Sequence, residues 1–244
     1  MNTKYLGHIV SLQVGLPRVV AVNDTGTFSG QTWTTGFFKQ PITNPVWLGK
    51  LNLCGDAQAD LENHGGLDKA VNVYPIEHYA YWRQTLPLKD LPSGAFGENF
   101  TTHGLLENEV CIGDTFEVGD ALVEVSQPRQ PCWKLARRWS VKDLAIQFQE
   151  TGRTGWYLRV LREGCVKAKD QLVLVERPYP QWTIAAANLI MHHQKKDIGA
   201  ARELANCPTL SSRWRVKLTR RSTEIGMEEN NSARLYGPHE EPTK

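Results

Sequence analysis

Residues 116–132 read FEVGDALVEVSQPRQPC, and this stretch contains the strongest fold signal in the chain. Apolar and polar side chains alternate over residues 116–118 and again over residues 121–125. The two segments flank Gly119-Asp120, a dipeptide that is typical of two-residue β-hairpin turns. The stretch therefore predicts a β-hairpin whose second strand leads into a proline-rich segment.

The proline-rich segment presents Cys132 at the exit of the second strand. Pro128 and Pro131 fix their own φ angles and disfavour helix in the residues before them, so a stiff turn is predicted. Four basic residues lie nearby in sequence: Arg129, Lys134, Arg137 and Arg138. Positive charge lowers the pKa of a thiol and favours the thiolate, which attacks electrophiles and binds metals. The alternative is that Cys132 is a small buried hydrophobic residue, as most free cysteines are.

The composition of the 244 residues is that of an ordinary folded protein, with 41% hydrophobic residues and a formal net charge of +2. This balance gives no global attraction to nucleic acid or to a membrane surface, so neither is expected as a partner. The five cysteines lack C-x-x-C spacing, which argues against a disulfide framework, a zinc ribbon and an iron–sulfur cluster. Residues 1–14 show no signal-peptide core, and no apolar run approaches the roughly 20 residues of a membrane helix. We therefore expect a cytoplasmic protein.

Residues 1–176 are predicted to form one β domain, because many short alternating segments separated by turn signals favour a closed or barrel-like sheet. The domain opens with two predicted strands, residues 7–14 and 18–22, around a tight turn. Residues 23–45 are rich in glycine and threonine but too aromatic for a passive linker. They predict a functional loop or lid, with a decorated hairpin as the alternative.

Two helices are predicted within this domain. Pro75 suits the first turn of a helix that runs through residues 77–86 and stops at Pro87. A capping-box pattern at residues 140–143 precedes apolar residues at helical spacing, so a second helix is predicted to end at Gly152.

Beyond the two prolines in residues 176–182, the hydrophobic period changes from two to about 3.6. Residues 177–225 predict three helices, and Thr183, Asp197 and Ser211 or Ser212 can cap them. Residues 226–244 contain few apolar side chains and predict a disordered tail. The expected fold class is therefore mainly β with α, a β-barrel-like domain followed by a small three-helix α domain.

Two further segments carry candidate site residues. Gly65-Gly66 allows a ligand to approach the backbone closely, and a titratable ring, an acceptor and a cation surround it: His64, Asp68 and Lys69. Glu98 and Asn99 follow a glycine at the start of a predicted strand. Their side chains could face a cleft, or they could simply form hydrogen bonds within the turn.

Other chemical patterns in the chain are weaker. Cys132 and Arg138 have the spacing of a cysteine phosphatase loop, but Pro131 replaces that family's histidine and the loop contains no glycine. A basic segment surrounds Trp214, and a solvated helix face is favoured over a nucleic-acid site: Arg213, Arg215, Lys217, Arg220 and Arg221. His192-His193 is interpreted as a polar helix face, because no other ligands lie at metal-binding spacing.

Four motifs, in this order, resemble the MOSC-domain family and specifically its YiiM-like branch. They are HGGLDKAV at residues 64–71, FGEN at 96–99, SQPRQPC at 126–132 and TGRTGWY at 151–157. The resemblance covers about residues 5–176, and the segment after it resembles the small helical domain of this branch. Leu67 stands where the family usually has proline, which loosens the turn but removes no chemical group.

The resemblance implies a β-barrel-like domain that binds the molybdenum cofactor, Mo-molybdopterin, with Cys132 as the thiolate ligand of the metal. Relatives reduce N-hydroxylated compounds, including hydroxylaminopurine base analogues, to amines, which detoxifies them, and others act on the cofactor by sulfuration. A molybdenum-dependent oxidoreductase with a small N-hydroxylated substrate is thus implied. The alternative is a molybdenum cofactor carrier or sulfur-transfer protein without reductive turnover. Because the sequence shows no iron–sulfur cluster and no flavin fingerprint, a separate electron-donating reductase is expected, and homodimerisation through the helical domain is left open.

The resemblance also implies roles for individual residues. The cofactor phosphate is expected at Lys69, Arg129 and Arg153, assisted by the backbone amides of Gly65 and Gly66. The polar edges of the pterin are expected to bond four side chains: His64, Asp68, Asn99 and Gln127. His64 and Glu98 are the candidates for the catalytic proton donor.

Overall fold

The structure is a computed structural model, and it describes residues 4–21, 32–88, 90–223 and 231–237. The strands are β1 (Lys4–Val14), β2 (Arg18–Ala21), β3 (Thr32–Thr35), β4 (Gln40–Ile42), β5 (Val46–Leu48), β6 (Val71–Pro75), β7 (Phe100–His103), β8 (Thr115–Val118), β9 (Ala121–Pro128), β10 (Trp156–Arg162), β11 (Gly164–Val166) and β12 (Gln171–Glu176). The helices are α1 (Leu61–His64), α2 (Glu77–Thr85), α3 (Lys134–Trp139), α4 (Leu144–Thr151), α5 (Ile184–Asn188), α6 (Ile198–Ala205), α7 (Ser212–Thr223) and α8 (Ser232–Tyr236). A short 3-10 helix covers Leu67–Lys69, and a π-helical turn, Leu189–His193, continues α5.

Seven strands close into a barrel in the order β1-β12-β8-β9-β10-β6-β7, with β7 pairing back to β1. Neighbouring strands are antiparallel except for β6 and β7, which are parallel. Apolar side chains of these strands fill the core, including Ile9, Leu12, Val71, Val73, Val123 and Leu158. The closed sheet and the helices that follow it confirm the expected fold class.

The hairpin that the sequence predicts is present. Strands β8 and β9 are antiparallel, and Val118 pairs with Ala121 across a turn in which Gly119 has a φ of +54°. Because an L side chain rarely adopts this backbone conformation, glycine suits the turn. Strand β9 then runs to Pro128 and pairs with β10, so Cys132 lies just beyond the end of a barrel strand that is hydrogen-bonded to its neighbour.

The two opening strands do not form the hairpin that the sequence predicts. Strand β1 pairs with β12, β7 and β4, whereas β2 pairs with β3 in a separate two-stranded sheet. The reason is burial, because β1 places Ile9 and Leu12 in the core while β2 is largely exposed. Local alternation indicated the strands but not their partners.

The predicted helices of the barrel domain are present as α2 and α4, and α4 ends at Gly152. Helix α3 was not predicted, because it has only six residues and no side chain that caps its N-terminus. It joins α2 and α4 in a second apolar cluster, where the rings of Trp82 and Phe148 stack with centroids 4.3 Å apart. Leu135 and Ala136 of α3 are buried in this cluster, so the residues directly after Cys132 are anchored.

The predicted three-helix segment corresponds to α5, α6 and α7. Thr183 caps α5 by accepting a hydrogen bond from Ala186 N at 3.0 Å, and Asp197 caps α6 by accepting one from Ala200 N at 2.9 Å. Apolar residues of this segment belong to the same core cluster as the barrel strands: Ile184, Met191, Leu204, Trp214 and Leu218. The helical segment therefore packs directly on the barrel.

Part of the predicted disordered tail is folded. Residues 231–237 contain α8, and Leu235 packs against the cluster that contains α3. Trp133 N donates a hydrogen bond to Arg234 O at 2.8 Å, and Arg234 Nη2 donates one to Gln149 Oε1 at 2.8 Å. The disorder prediction failed here because a few tertiary contacts order a segment of low apolar content, while residues 226–230 and 238–244 lie outside the described residues.

Within the described ranges, none of the helices is both long and apolar enough to cross a membrane. The five cysteines are all free thiols. Cys54 and Cys165 are exposed, whereas Cys111, Cys132 and Cys207 are buried.

Candidate functional site

Cys132 lies in the turn between β9 and α3, and its position is fixed on both sides. On the strand side, Arg129 N donates a hydrogen bond to Gly155 O at 3.0 Å. On the helix side, Leu135 N donates one to Cys132 O at 3.1 Å. The Cys132 residue is only 8% exposed, so the turn presents the thiol into the interior of a cleft and not to bulk solvent.

His64 is the immediate polar neighbour of the thiol. Its Nε2 atom lies 3.5 Å from Cys132 Sγ, and its Nδ1 atom lies 3.3 Å from Asp60 Oδ2. The second contact has the distance of an ion pair but not the geometry of a hydrogen bond, since Nδ1 has no hydrogen-bond partner among the described residues. Asp60 also caps α1 by accepting a hydrogen bond from Asn63 N at 2.9 Å. One helical turn therefore holds His64 between the acid and the thiol.

This environment favours the thiolate of Cys132. Burial raises the pKa of the thiol, but the His64 ring, the backbone N–H of Lys134 and the charge of Lys134 together lower the pKa to about 6. A thiol with this pKa is mostly ionised at neutral pH. The structure therefore provides a soft anionic ligand or nucleophile at a fixed position.

Cys132 lies where two cavities meet. An inner cavity of about 70 Å³ lies among the barrel, the β3–β4 segment and the Cys132 turn. An outer cleft of about 1610 Å³ lies between the barrel and the three-helix segment. The residues common to both are His64, Lys69, Gln130, Cys132 and Tyr157. A ligand on the thiolate can therefore extend inward and outward at once.

The inner cavity is cationic. Its lining includes Lys39, Lys69, Arg129 and Lys134, and no carboxylate of the described residues lines it. Lys39 is paired with Asp56 behind the wall. Burial and then the charge of Arg213 lower the pKa of Lys69, nearby carboxylates oppose the shift, and the net result is a pKa of about 8. A negatively charged ligand would stabilise the protonated form of this lysine.

Several buried polar atoms along the cavity walls have no hydrogen-bond partner among the described residues. They are Asn72 Oδ1, Gln127 Oε1, Arg129 Nη1 and Gln130 Nε2. Arg129 is only 5% exposed, and it forms no ion pair with a described carboxylate. Each such buried group costs about 1–3 kcal/mol unless a partner satisfies it. The walls therefore suit a ligand that has an anionic group and polar ring edges.

Most of the predicted cofactor residues lie on these walls. Cys132, His64, Lys69, Arg129 and Asn99 line the inner cavity, and Gln127 lines the outer cleft. The amide of Asn99 is already bonded: its Nδ2 atom donates to Asp56 Oδ2 at 2.9 Å, and its Oδ1 atom accepts from Asn72 N at 3.1 Å. Asn99 therefore shapes the wall and is not a free partner for the pterin.

Glu98 does not reach either cavity, which differs from its predicted role as a proton donor. Its buried carboxylate accepts hydrogen bonds from Gly94 N at 2.8 Å, Phe96 N at 3.1 Å and Thr101 Oγ1 at 2.9 Å, and from the Tyr79 hydroxyl. Because these donors surround both oxygens, the carboxylate stabilises the loop before β7. Sequence position alone could not show which way this side chain points.

Neither Asp68 nor Arg153 lines the inner cavity or the outer cleft. Asp68 Oδ2 accepts hydrogen bonds from Ser212, and Asp68 Oδ1 lies 2.8 Å from Arg159 Nη2. The guanidinium of Arg153 lies 4.0 Å from the centre of the Tyr81 ring. The phosphate role of Arg153 and the pterin role of Asp68 are therefore not supported by their positions, because other side chains hold both groups.

The double glycine has a structural role here. Gly65 N donates to Leu61 O at 3.2 Å, and Gly66 has a φ of +95°, which turns the chain from α1 into the 3-10 helix that carries Lys69. Neither glycine lines a cavity, so the expected backbone assistance to a phosphate is absent from the described geometry. The turn instead places His64 and Lys69 on the same side.

Sequence reasoning missed several residues of the inner cavity. Tyr157 and Gln130 lie within the quoted motifs, and Gln130 and Lys134 lie two residues from Cys132, so motif membership and adjacency are the signals that point to them. Burial raises the pKa of Tyr157 to about 12, so this phenol is neutral. Thr35 and Lys39 come from the segment predicted as a loop or lid, whose described part forms β3, β4 and a cavity wall, while residues 22–31 lie outside the described residues.

Two family models match successive parts of this chain. The MOSC domain matches residues 60–173, and the YiiM-like 3-alpha helix domain matches residues 182–221. The protein YflK of Bacillus subtilis is 42% identical over 89% of this chain and 95% of its own length. The chain belongs to the YiiM-like MOSC-domain family. This confirms the family that the four sequence motifs indicated.

Solved structures and other relatives extend the comparison for this YiiM-like chain. The crystal structure of YiiM from Geobacillus stearothermophilus superposes with a TM-score of 0.74, at 38% identity, over 88% of this chain and 99% of that chain. A Gibberella moniliformis protein named a reductase is 35% identical over 82% of this chain, which corresponds to 35% of that protein. Cys132 and the inner cations Lys69, Arg129 and Lys134 lie in the MOSC match, whereas the helical wall of the outer cleft lies in the YiiM-like helical match.

Proposed function

We propose that this protein is a molybdenum-cofactor-dependent reductase that converts N-hydroxylated compounds, such as hydroxylaminopurine base analogues, to amines. One observation carries the proposal. The thiolate of Cys132 lies at the junction of a cationic inner cavity and an open outer cleft. A cofactor bound inward through its anionic group would leave the outer side of the metal facing substrate. The reductase name of one relative supports the same reaction class.

The residues of the inner cavity fit the anionic end of the cofactor, and the volume of about 70 Å³ means that the rest of the cofactor would extend past Cys132 into the outer cleft. A soft thiolate such as Cys132 suits a thiophilic metal that is also held by dithiolene sulfur. Arg129 and Lys69 would hold the phosphate, since charge-assisted hydrogen bonds to phosphate are strong and the Arg129 guanidinium has no carboxylate partner among the described residues. Three amide atoms without a partner among the described residues would bond the edges of the pterin: Asn72 Oδ1, Gln127 Oε1 and Gln130 Nε2.

When bound, the cofactor supplies a two-electron redox centre. The overall reaction converts R–NHOH, two electrons and two protons into R–NH₂ and water, and a separate electron-donating reductase supplies the electrons. His64 is placed to hold a proton for the substrate, because its ring lines the outer cleft and its Nε2 atom lies 3.5 Å from Cys132 Sγ. Asp60 Oδ2 lies 3.3 Å from the other ring nitrogen, Nδ1, and so keeps the ring in place. We therefore assign the proton donor to His64 and not to Glu98.

The first test measures cofactor content. Wild type and Cys132→Ser are purified from a host that produces the cofactor, and molybdenum and pterin are quantified per chain. We expect about one equivalent in the wild type and a loss in the variant, since serine lacks the soft thiolate. Cys207→Ser is the matched control, because Cys207 is also buried but lies in the helical segment outside both cavities.

The second test measures turnover. The loaded protein is supplied with 6-hydroxylaminopurine and a chemical reductant, and formation of the amine is followed. Product that depends on molybdenum supports the reductase. Molybdenum and pterin without product would instead support the carrier or sulfur-transfer function, and a wild type that binds neither under cofactor-replete conditions would contradict both.

A further inference from the structure

The basic segment around Trp214 lines the outer cleft. Residues of α7 that line it are Arg213, Val216, Lys217, Arg220 and Arg221, which are spaced at i, i+3, i+4, i+7 and i+8. This spacing defines one face of a helix. Trp214 and Leu218 lie on the other face and are buried in the core. The basic face is therefore directed at the cleft that contains Cys132, whereas the sequence favoured an ordinary solvated face.

Other elements add positive charge to the same cleft. Lys195 and Lys196, which precede α6, and Arg234 of α8 also line it. Among the residues that the structure describes, the acidic members of the lining are Asp60 and Glu62, both at the α1 side of the cleft. The described partners of Arg213 are neutral, namely Glu62 O and Asn63 Oδ1, so its charge is retained. Lys195 and Lys196 are exposed and form no ion pair with a described residue.

The cleft is larger and more charged than a free purine base requires. Its volume of about 1610 Å³ exceeds the roughly 300–1,000 Å³ of typical small-molecule pockets, so it can hold a ligand besides the cofactor. A purine base is uncharged and would gain nothing from the basic face. Trp133 and Tyr157 also line the cleft near Cys132, and aromatic rings are suitable surfaces for stacking a base.

We propose that the outer cleft binds phosphorylated N-hydroxylated nucleosides, with the phosphates on the basic face of α7 and the base directed toward Cys132. The chemistry at the base rests on the proposed function. The phosphate contacts do not, because they belong to the helical segment and not to the inner cavity. Arginine and lysine favour phosphate through charge-assisted hydrogen bonds. A concave site that includes the thiolate in its lining suits a nucleotide better than a polymer.

Binding is tested with deoxyadenosine triphosphate and adenine as probes, by titration calorimetry on the full chain at low and high salt. We expect the triphosphate to bind more tightly than adenine and to weaken with salt. Arg220→Gln and the double variant Lys195→Gln with Lys196→Gln should each weaken triphosphate binding by about tenfold, the size of a charge-assisted contact, and leave adenine binding unchanged. The matched control is Arg202→Gln with Lys167→Gln, which removes two exposed charges outside the cleft.

The outcomes separate this inference from the proposed function. If the loaded enzyme reduces the free N-hydroxylated base but shows no higher kcat/KM for the nucleoside triphosphate of the same base, the nucleotide inference is wrong and the proposed reductase function is retained. If triphosphate binding depends on α7 but neither the base nor the triphosphate is reduced, the proposed reductase function is wrong and only phosphate binding at α7 is supported. Loss of molybdenum from Arg220→Gln with unchanged triphosphate affinity would assign this face to the cofactor. Tighter binding of a single-stranded oligonucleotide than of the triphosphate would assign it to a polymer, and either result overturns the inference.

Discussion

Asp68 of the barrel caps the first turn of α7 in the helical segment. Its Oδ2 atom accepts hydrogen bonds from Ser212 N at 3.0 Å and from Ser212 Oγ at 3.2 Å. A carboxylate at this position satisfies an amide that has no partner within the helix, and it interacts favourably with the helix dipole. Arg159 holds the other oxygen of the carboxylate, so this one side chain connects a barrel strand to the wall of the outer cleft.

Asp68→Ala should therefore reduce stability and spare the cofactor. We expect the free energy of unfolding to fall by about 0.5–2 kcal/mol, the range for loss of a helix cap, while the molybdenum content per folded chain stays at the wild-type level. Asp197→Ala, which removes the cap of α6, should produce a similar loss in denaturant titrations. If Asp68→Ala is stable but purifies without cofactor, the result would support the predicted hydrogen bond between Asp68 and the pterin.

Alkylation of Cys132 should become half-maximal near pH 6 in the cofactor-free protein. The thiolate reacts and the thiol does not, so the rate rises as the pH passes the pKa. His64→Ala removes the neighbouring ring that lowers this pKa, and the midpoint should move to higher pH. The measurement is the rate of iodoacetamide modification of the Cys132 peptide by mass spectrometry. An unchanged midpoint in His64→Ala would show that the ring does not stabilise the thiolate.

Gly155→Ala should damage the inner cavity, whereas Gly152→Ala should not. Both glycines have positive φ, but a Cβ on Gly155 would lie 2.2 Å from Val73 O, and a Cβ on Gly152 would meet nothing within 4 Å. Gly155 O also accepts the backbone hydrogen bond of Arg129. Backbone strain alone costs about 1–2 kcal/mol, which sets the expected loss for Gly152→Ala.

The clash at Gly155 adds to that strain, so its variant should lose at least twice as much free energy of unfolding as Gly152→Ala. The displaced Arg129 should also lower cofactor content in the fraction that folds. Thermal unfolding and molybdenum analysis of the two variants provide the comparison. Equal stability losses would mean that the backbone at Val73 relaxes without effect.

His192 should make the protein sensitive to acid. Burial, followed by the charges of Arg234 and Lys217, lowers the pKa of His192 to about 2, so the ring is neutral in the fold. The unfolded chain protonates a histidine near pH 6.5, so below this pH the unfolded state binds one more proton. This group should therefore reduce the free energy of unfolding by about 1.4 kcal/mol for each pH unit below roughly 6.5.

His192→Leu should remove this part of the pH dependence, whereas His193→Leu, at the exposed neighbouring position, should retain it. Denaturant titrations between pH 7 and pH 4.5 measure the slopes. If wild type and His192→Leu lose stability in parallel, the ring is protonated in the fold and the burial argument does not apply.

The sequence predicted those parts of the site whose residues are close together in the chain or lie in a specific motif. Cys132 and Arg129 come from one turn, and His64 and Lys69 come from one double-glycine motif, and all four line the inner cavity. The hairpin before Cys132 was predictable for the same reason, because alternation and a two-residue turn are local properties.

The remaining features depend on contacts that local patterns do not contain. The Glu98 carboxylate points toward the backbone of the loop that precedes it, and the Arg153 guanidinium stacks on the Tyr81 ring. Tertiary neighbours decide both orientations. Lys39 lines the cavity although it lies more than 90 residues before Cys132 in the chain. The local hydrophobic periodicity of a sequence cannot predict a contact between such distant segments. The basic residues of α7 were visible in the sequence, but their direction toward the cleft depends on how the helix packs.

The apolar core shared by the barrel and the three helices makes the two parts one cooperative unit. Ile184, Leu204 and Trp214 are buried in the same cluster as Ile9 and Val123, so separating the parts would expose apolar surface on both. The outer cleft therefore cannot widen by hinge motion between independent bodies, and ligand size is limited by side-chain movement at its rim. A chain cut near residue 176 would expose the part of this core that the helices cover and would aggregate, while the intact protein should unfold in a single thermal transition.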